Sequence, residues 1–327
     1  MKKLFKILTY SVLGVLAVAV VFFVYFNSTF PKTDSAPDVK VEATKERLER
    51  GKYLVTHVAV CIDCHSTRDY SKFSGPVVGG TEGKGGEVFN KQNLGLPGSV
   101  FAKNITPAGI GSWTDGEIIR AITCGVNKNG ESLFPLMPYM SYNGFTKEDL
   151  FSIVAYIRTL KPIENHVPEK SLDFPMNFIE KTIPVKSFSM ENKVDRNNPV
   201  EYGKYLVQVA GCFDCHTPQE KGKPIMEKNF AGGMEFHTPD FTLRSANITP
   251  DVASGIGSWT KEMFIQKFKS FESDSAKNVS VGPKSFNTAM AWTMYAGMTT
   301  EDLGMIYDYL RTLKPVYNVV NKFSPKN

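Results

Sequence analysis

Cysteine is scarce in this sequence, with five in 327 residues. A disulfide-stapled scaffold needs a short chain dense in cysteine, so that class drops out. Long runs of lysine and arginine are also missing. The net charge is only +5, and Lys2, Lys3 and Lys6 supply part of it from the first six residues. No concentrated basic patch is left to bind nucleic acid, and no nucleic-acid partner is expected. Apolar residues are not in short supply: 42% hydrophobic and 22% charged residues exclude disordered and fibrous classes. The length suits two domains of ordinary size.

Charge is absent altogether between Ile7 and Phe26, ILTYSVLGVLAVAVVFFVYF. As a helix rising ~1.5 Å per residue, these residues would span ~30 Å, the thickness of a bilayer core. The lysines ahead of them keep the start cytoplasmic and export the rest. Ala17-Val18-Ala19 resembles a leader-cleavage site. Cutting there, however, would leave Val20 to Phe26 as an exposed apolar stub. The expectation is an uncleaved anchor over residues 1–26 and a tether over 27–45. No cysteine precedes Cys61 to accept a lipid.

The remainder is one unit written twice. Gly51-Lys-Tyr-Leu-Val55 returns as Gly203-Lys-Tyr-Leu-Val207, and Asn104-Ile-Thr-Pro107 as Asn247-Ile-Thr-Pro250. Gly109-Ile-Gly-Ser-Trp113-Thr returns as Gly255-Ile-Gly-Ser-Trp259-Thr. Glu148-Asp-Leu150 with Tyr156-Ile-Arg-Thr-Leu-Lys-Pro162 returns as Glu301-Asp-Leu303 with Tyr309-Leu-Arg-Thr-Leu-Lys-Pro315. Landmarks recurring in one order mark a tandem duplication. It divides the chain into repeat domains over 46–163 and 198–316, a linker over 164–197 and a tail over 317–327.

Each unit reads as helical. Amphipathic runs cover residues 41–59 and 200–210. Thr114 and Thr260 suit helix N-caps. Thr146-Lys-Glu-Asp149 resembles a capping box, and its helix sets Leu150, Ile153, Val154 and Ile157 on one face before Pro162. Thr299 opens the equivalent helix, which stops before Pro315. The loops over 66–103 and 217–246 are rich in Gly and Pro and need something to pack on. The expected fold class is all-α.

Four of the cysteines fall in Cys61-Ile-Asp-Cys64-His65 and Cys212-Phe-Asp-Cys215-His216. C-x-x-C-H spaces two thiols to reach the two vinyl groups on one porphyrin edge, and the histidine then lies under the iron. It is the signature of c-type haem attachment. A zinc site built from both pairs would have to join motifs about 150 residues apart, each followed at once by histidine. A thioredoxin-like pair would need a βαβ context that is missing. The expected cofactors are therefore two covalently bound haems c, held by Cys61, Cys64, Cys212 and Cys215, with His65 and His216 as axial iron ligands. The Nδ1–H of each histidine should donate to a backbone carbonyl.

The sixth ligand should occupy matching positions in both repeats. Aligned on Gly144 and Gly297, Met137 and Met290 each lie seven residues upstream, whereas Met140 faces Thr293 and Met294 faces Ser141. A single methionine is ordinarily core filler. Two in register before the last helix point to Met137 and Met290 as ligands. With His/Met ligation neither iron keeps an open position. That favours an electron carrier, not an enzyme, over a dihaem peroxidase or haem-based sensor with a displaceable ligand. Trp113 and Trp259 leave two readings open, an indole N–H on a haem propionate or a core aromatic. Pro107 and Pro250 stand beside the histidines or merely shape a turn. His57, His166 and His237 have no counterparts and read as surface or loop residues. Cys124, facing Ser270, reads as an incidental buried thiol.

On these motifs, with Met137-Pro-Tyr139 added, residues 46–316 resemble the multihaem cytochrome c subunits of membrane-bound bacterial alcohol, aldehyde and gluconate dehydrogenases. The resemblance implies class I-like cytochrome c domains relaying electrons from a dehydrogenase or quinol-oxidising donor to an oxidase or cytochrome acceptor. It implies a bacterial inner-membrane protein with its haem domains in the periplasm. The sequence departs from that pattern in its two haem motifs, its N-terminal apolar run, and Met290-Ala-Trp292 in place of Met-Pro-Tyr.

Overall fold

The computed structural model describes every residue except Met1, Lys221, Pro239, Pro283, Lys284 and Asn327. Single positions of the expected anchor, second repeat and tail therefore lie outside the described residues. Both repeats unfold the same series of elements. A leading helix, Lys45–Tyr53, is capped by Thr44 and runs on through a wider turn at Leu54–Val58; its counterpart is Pro199–Val209. A motif helix follows, Cys61–Cys64 or Cys212–His216. Asp115–Cys124 and Lys261–Lys269 come next, opened by Thr114 and Thr260 as N-caps. A four-residue helix, Tyr139–Tyr142 or Trp292–Tyr295, precedes the closing helix, Lys147–Ile157 or Thr300–Arg311.

Leading and closing helices cross in close contact. A Cβ on Gly51 would run into the Ser152 carbonyl, and one on Gly203 into the Met305 carbonyl. Only glycine lets two backbones approach that far, which gives the first repeated landmark its physical cause. Leu54, Val55, Val58, Leu150 and Ile153 fill the first crossing, and Leu206, Val207, Val209, Leu303 and Leu310 the second. The two groups belong to one continuous core.

The all-α expectation is overturned. Helix accounts for 42% of the chain, but 9% is strand in three sheets, giving a mixed α/β architecture. In the first repeat, β1 (Val88–Asn90) pairs antiparallel with β2 (Gly98–Phe101), and β2 with β3 (Ser171–Leu172). The second adds a two-stranded ribbon of β4 (Gln219–Glu220) and β5 (Lys223–Pro224). It then repeats the triplet as β6 (Glu235–His237), β7 (Phe241–Arg244) and β8 (Phe323–Pro325). The expected loops thus contain hairpins, and in each repeat one of them is completed by a strand from beyond the closing helix. Strands of two to four residues are too short to show a period, and the third is non-local.

The repeats meet about a pseudo-twofold axis. Tyr205 donates its hydroxyl to Asp149 at 2.6 Å, and its counterpart Tyr53 donates to Asp302 at 2.6 Å. The Gln208 amide donates to the Ser141 carbonyl at 3.4 Å, and His57 Nδ1–H to the equivalent Met294 carbonyl at 2.9 Å. Arg50 and Arg196 add ion pairs to Asp149.

Helix Lys2–Thr29 has no buried residue. The segment after it lies against the first repeat. Thr33 Oγ1 donates to the Val185 carbonyl, the Asp34 amide to the Lys186 carbonyl, and the Val41 amide to Asp115.

Candidate haem-binding sites

Each motif helix begins where the chain turns sharply through a left-handed residue, Val60 at φ 44° and Gly211 at φ 66°. That conformation is easy for glycine and strained for a β-branched valine. The carbonyl just ahead of each turn is anchored from the other end of its repeat. Tyr142 donates its hydroxyl to the Ala59 carbonyl, and Tyr295 to the Ala210 carbonyl, both at 2.8 Å.

His65 Nδ1–H donates to the Lys103 carbonyl at 2.6 Å, and His216 Nδ1–H to the Ala246 carbonyl at 2.7 Å. The expected pair of bonds is therefore present. Among the described residues no protein partner engages either Nε2. Burial pushes both imidazoles towards the neutral form, so each keeps a free lone pair there. The carbonyls are placed by the recurring asparagines. Asn104 donates to the Ile163 carbonyl and Asn247 to the Val316 carbonyl, both at 2.8 Å. Their Oδ1 atoms accept from the amides and hydroxyls of Thr106 and Thr249. This role was not read from the sequence; the signal was the recurrence of Asn-Ile-Thr-Pro itself. Pro107 opens a short helix, Pro107–Ile110.

None of the four motif cysteines is disulfide-bonded. Cys61 and Cys212 pack on the core, while Cys64 and Cys215 are exposed. Even so, protein surrounding all four raises their thiols up to about 12. The two motifs also approach each other across the axis. Cys64 lies close enough to Cys215, and Tyr142 to Tyr295, for the charge of one to disfavour ionisation of the other. Among the described residues no cluster of three His, Cys, Asp or Glu side chains could hold a metal ion.

Met137 and Met290 occupy the same turn. The Tyr139 amide donates to the Met137 carbonyl and the Trp292 amide to the Met290 carbonyl, both at 2.8 Å. Both side chains are half-buried; Met137 packs on the core and Met140 is exposed. Supports for these turns come from across the axis. Ser74, fully buried at φ 65°, donates its hydroxyl to the Met290 carbonyl at 2.7 Å and accepts from the Trp292 amide at 2.9 Å. Its amide donates to Asn287 and its carbonyl accepts from Arg68, which is ion-paired with Asp63 at 3.0 Å. In the other direction Ser141 donates to Asp214 at 2.7 Å. The aspartate inside each Cys-x-x-Cys pair is thus bonded towards the other repeat's methionine turn.

Trp113 and Trp259 pack on the core, and among the described residues neither indole N–H has a protein partner. Cys124 is buried beside Thr123, as expected. His57 is not a surface or loop residue: it lies half-buried between the repeats, where burial lowers its pKa. Its lack of a counterpart hid this, because the pseudo-symmetric bond comes from Gln208.

A cytochrome c family model matches residues 200–314. The chain is 28% identical, over 83% of its length and 53% of the relative's, to the fructose dehydrogenase cytochrome subunit of Gluconobacter japonicus. It is 28% identical, over 84% of its length and 58% of the relative's, to the quinone-type alcohol dehydrogenase cytochrome c subunit of Gluconacetobacter polyoxogenes. A dihaem c-type cytochrome of Cereibacter sphaeroides is 29% identical over 58% of this chain and 63% of its own. Residues 200–314 carry a cytochrome c domain, and the chain is similar to cytochrome subunits of bacterial dehydrogenases. The chain spans about half the length of the dehydrogenase subunits it matches. A cytochrome c domain implies covalently bound haem c as its cofactor.

Proposed function

We propose that this cytochrome carries two haems c. In this reading it is held on the outer face of a bacterial inner membrane by helix Lys2–Thr29. It passes electrons from a dehydrogenase or quinol-oxidising donor to an oxidase or cytochrome acceptor. The observation that carries the reading is that both Cys-x-x-Cys-His motifs sit in equivalent surroundings, each with its Nδ1 bound to a backbone carbonyl and its Nε2 left free. Bound haem supplies an iron that gains and loses one electron. Cys61 and Cys64, and likewise Cys212 and Cys215, hold the porphyrin edge. His65 and His216 offer neutral Nε2 atoms, fixed in tautomer by the bonds to Lys103 and Ala246. Met137 and Met290 complete the ligand sets, which leaves no position for oxygen or peroxide. The closeness of Cys64 to Cys215 supports electron passage between the two sites across the axis.

The anchor is supported by one helix long and apolar enough to cross a membrane. Lys2, Lys3 and Lys6 at its start orient the body outward. Optical spectra of the wild type and of Met137→Ala and Met290→Ala, with a haem count by mass, test the proposal. Two haems are expected, and each variant should lose the methionine–iron band of one. A single haem, a native high-spin iron, or carbon monoxide binding by the reduced wild type would overturn the carrier reading in favour of a peroxidase or sensor. Extraction of the membrane-bound protein by alkaline carbonate would overturn the anchor.

A further inference from the structure

The end of the N-terminal helix does not stand apart from the body. Phe178 packs against it, with ring centroids 6.0 Å from Phe23 and 5.9 Å from Phe26. Lys181 donates to the Asn27 side chain at 2.7 Å. Phe23 and Phe26 close the apolar run Ile7–Phe26, so in a spanning helix they sit where hydrocarbon gives way to headgroups. Phe178 is fixed at that level. Beside it, Phe174 is 82% exposed and Ile179 46% exposed, with the Phe174 ring 6.1 Å from that of Phe178. Single exposed apolar residues need no explanation. These two differ because they continue the aromatic end of a helix that requires apolar surroundings.

The patch is held from both sides. Ser171–Leu172 joins the first repeat's sheet, and Val185 donates its amide to the Cys124 carbonyl. The segment leading out of the helix is bonded to the same stretch at Val185 and Lys186. Lys32 and Lys186 are exposed near these bonds, as anionic headgroups would favour; Asp34 and Asp173 are exposed acidic residues nearby, while Glu180 is buried and paired with Lys170.

We propose that residues 173–182 form a second, interfacial membrane contact. Phe174 and Ile179 enter the headgroup–acyl boundary of the bilayer that the helix crosses, and the first repeat sits on the membrane at one fixed tilt. The inference rests on the anchor reading above. It is tested with the full-length holoprotein in vesicles of phosphatidylethanolamine and phosphatidylglycerol, using an apolar carbene photolabel dissolved in the bilayer. Label should appear in residues 7–26 and, several-fold above background, in 173–182. Background is read at Val252 and Tyr317, each 72% exposed. A labelled helix with 173–182 at background overturns the interfacial contact and leaves the anchor standing. An unlabelled helix overturns both.

A second measurement uses Phe174→Asp combined with Ile179→Asp, substitutions at exposed positions that leave the core alone. Oriented-multilayer electron paramagnetic resonance of the oxidised haems should show one tilt in the wild type. The variant should lose that order while its optical spectrum is unchanged. Unchanged order in the variant overturns the proposal.

Discussion

Asp149→Asn tests what joins the repeats. The Asp149 carboxylate is 1% exposed and accepts from Arg50 Nε and Nη2 at 2.8 Å, Arg196 Nη2 at 2.9 Å and Tyr205 at 2.6 Å. Burial alone would raise its pKa, but the hydrogen bonds and charge of Arg50 more than reverse this and hold it below the ordinary range. Asparagine removes the charge and turns an amide N–H₂ towards donors. Taking one partner from a buried ion pair costs about 3–5 kcal/mol. Arg50 keeps 20% of its side chain in solvent and a bond to Tyr202, so the lower end, about 3 kcal/mol, applies. The pseudo-symmetric Asp302→Asn is the control. Asp302 accepts from Tyr53 and among the described residues has no salt-bridged cation, and burial raises its pKa. Its neutralisation should cost about 1 kcal/mol or less. Denaturant unfolding followed by circular dichroism gives both values. Equal losses, or less than about 1 kcal/mol for Asp149→Asn, would refute the argument.

The acid response separates the same two groups. Asp149, with a depressed folded pKa, contributes stability that is present above the unfolded value near 3.8 and lost as pH falls through its lower folded value. The gap between wild type and Asp149→Asn should therefore begin to narrow below about pH 4; a gap that stays constant or widens as pH falls would count against the assignment. Ser74→Ala removes a hydroxyl that serves both the Met290 carbonyl and the Trp292 amide. It should cost about 2–3 kcal/mol. It should also weaken the methionine–iron band of the second haem alone, and a band unchanged in the optical spectrum would show that the turn holds itself. Gly51→Ala and Gly203→Ala drive a Cβ into backbone carbonyls and should each cost at least about 2 kcal/mol by thermal unfolding. Gly14→Ala, with nothing within 4 Å, should be neutral.

Much of the molecule was readable in the sequence because its signals are local. The cap threonines precede periodic apolar runs, and each attachment motif is five consecutive residues. The pinned histidines followed from the general need of a ligating imidazole for an acceptor at Nδ1. What failed was non-local. β3 and β8 come from stretches without periodicity and pair with hairpins far away in the chain, so the sheets were missed and the fold class with them. Asp149 shows the same limit at the scale of one side chain. Thr146 caps its helix through the Asp149 amide, as the spacing implies. The aspartate side chain that would close the box turns instead to arginines 99 and 47 residues away.

The supports of the methionine turns bear on how the repeats work together. If each repeat were a self-sufficient carrier, its methionine turn would be held from within. Instead Ser74 of the first repeat holds the Met290 turn, and Asp214 of the second accepts from Ser141, close behind Met137. Sliding one repeat against the other would then disturb both proposed ligand sets at once. The reciprocal Tyr205–Asp149 and Tyr53–Asp302 bonds oppose that motion. Ligand sets fixed in this way need little rearrangement when charge arrives, because the dipoles around them are already oriented. On this argument the duplication yields one preorganised relay, in which the interface between repeats is part of the ligand architecture.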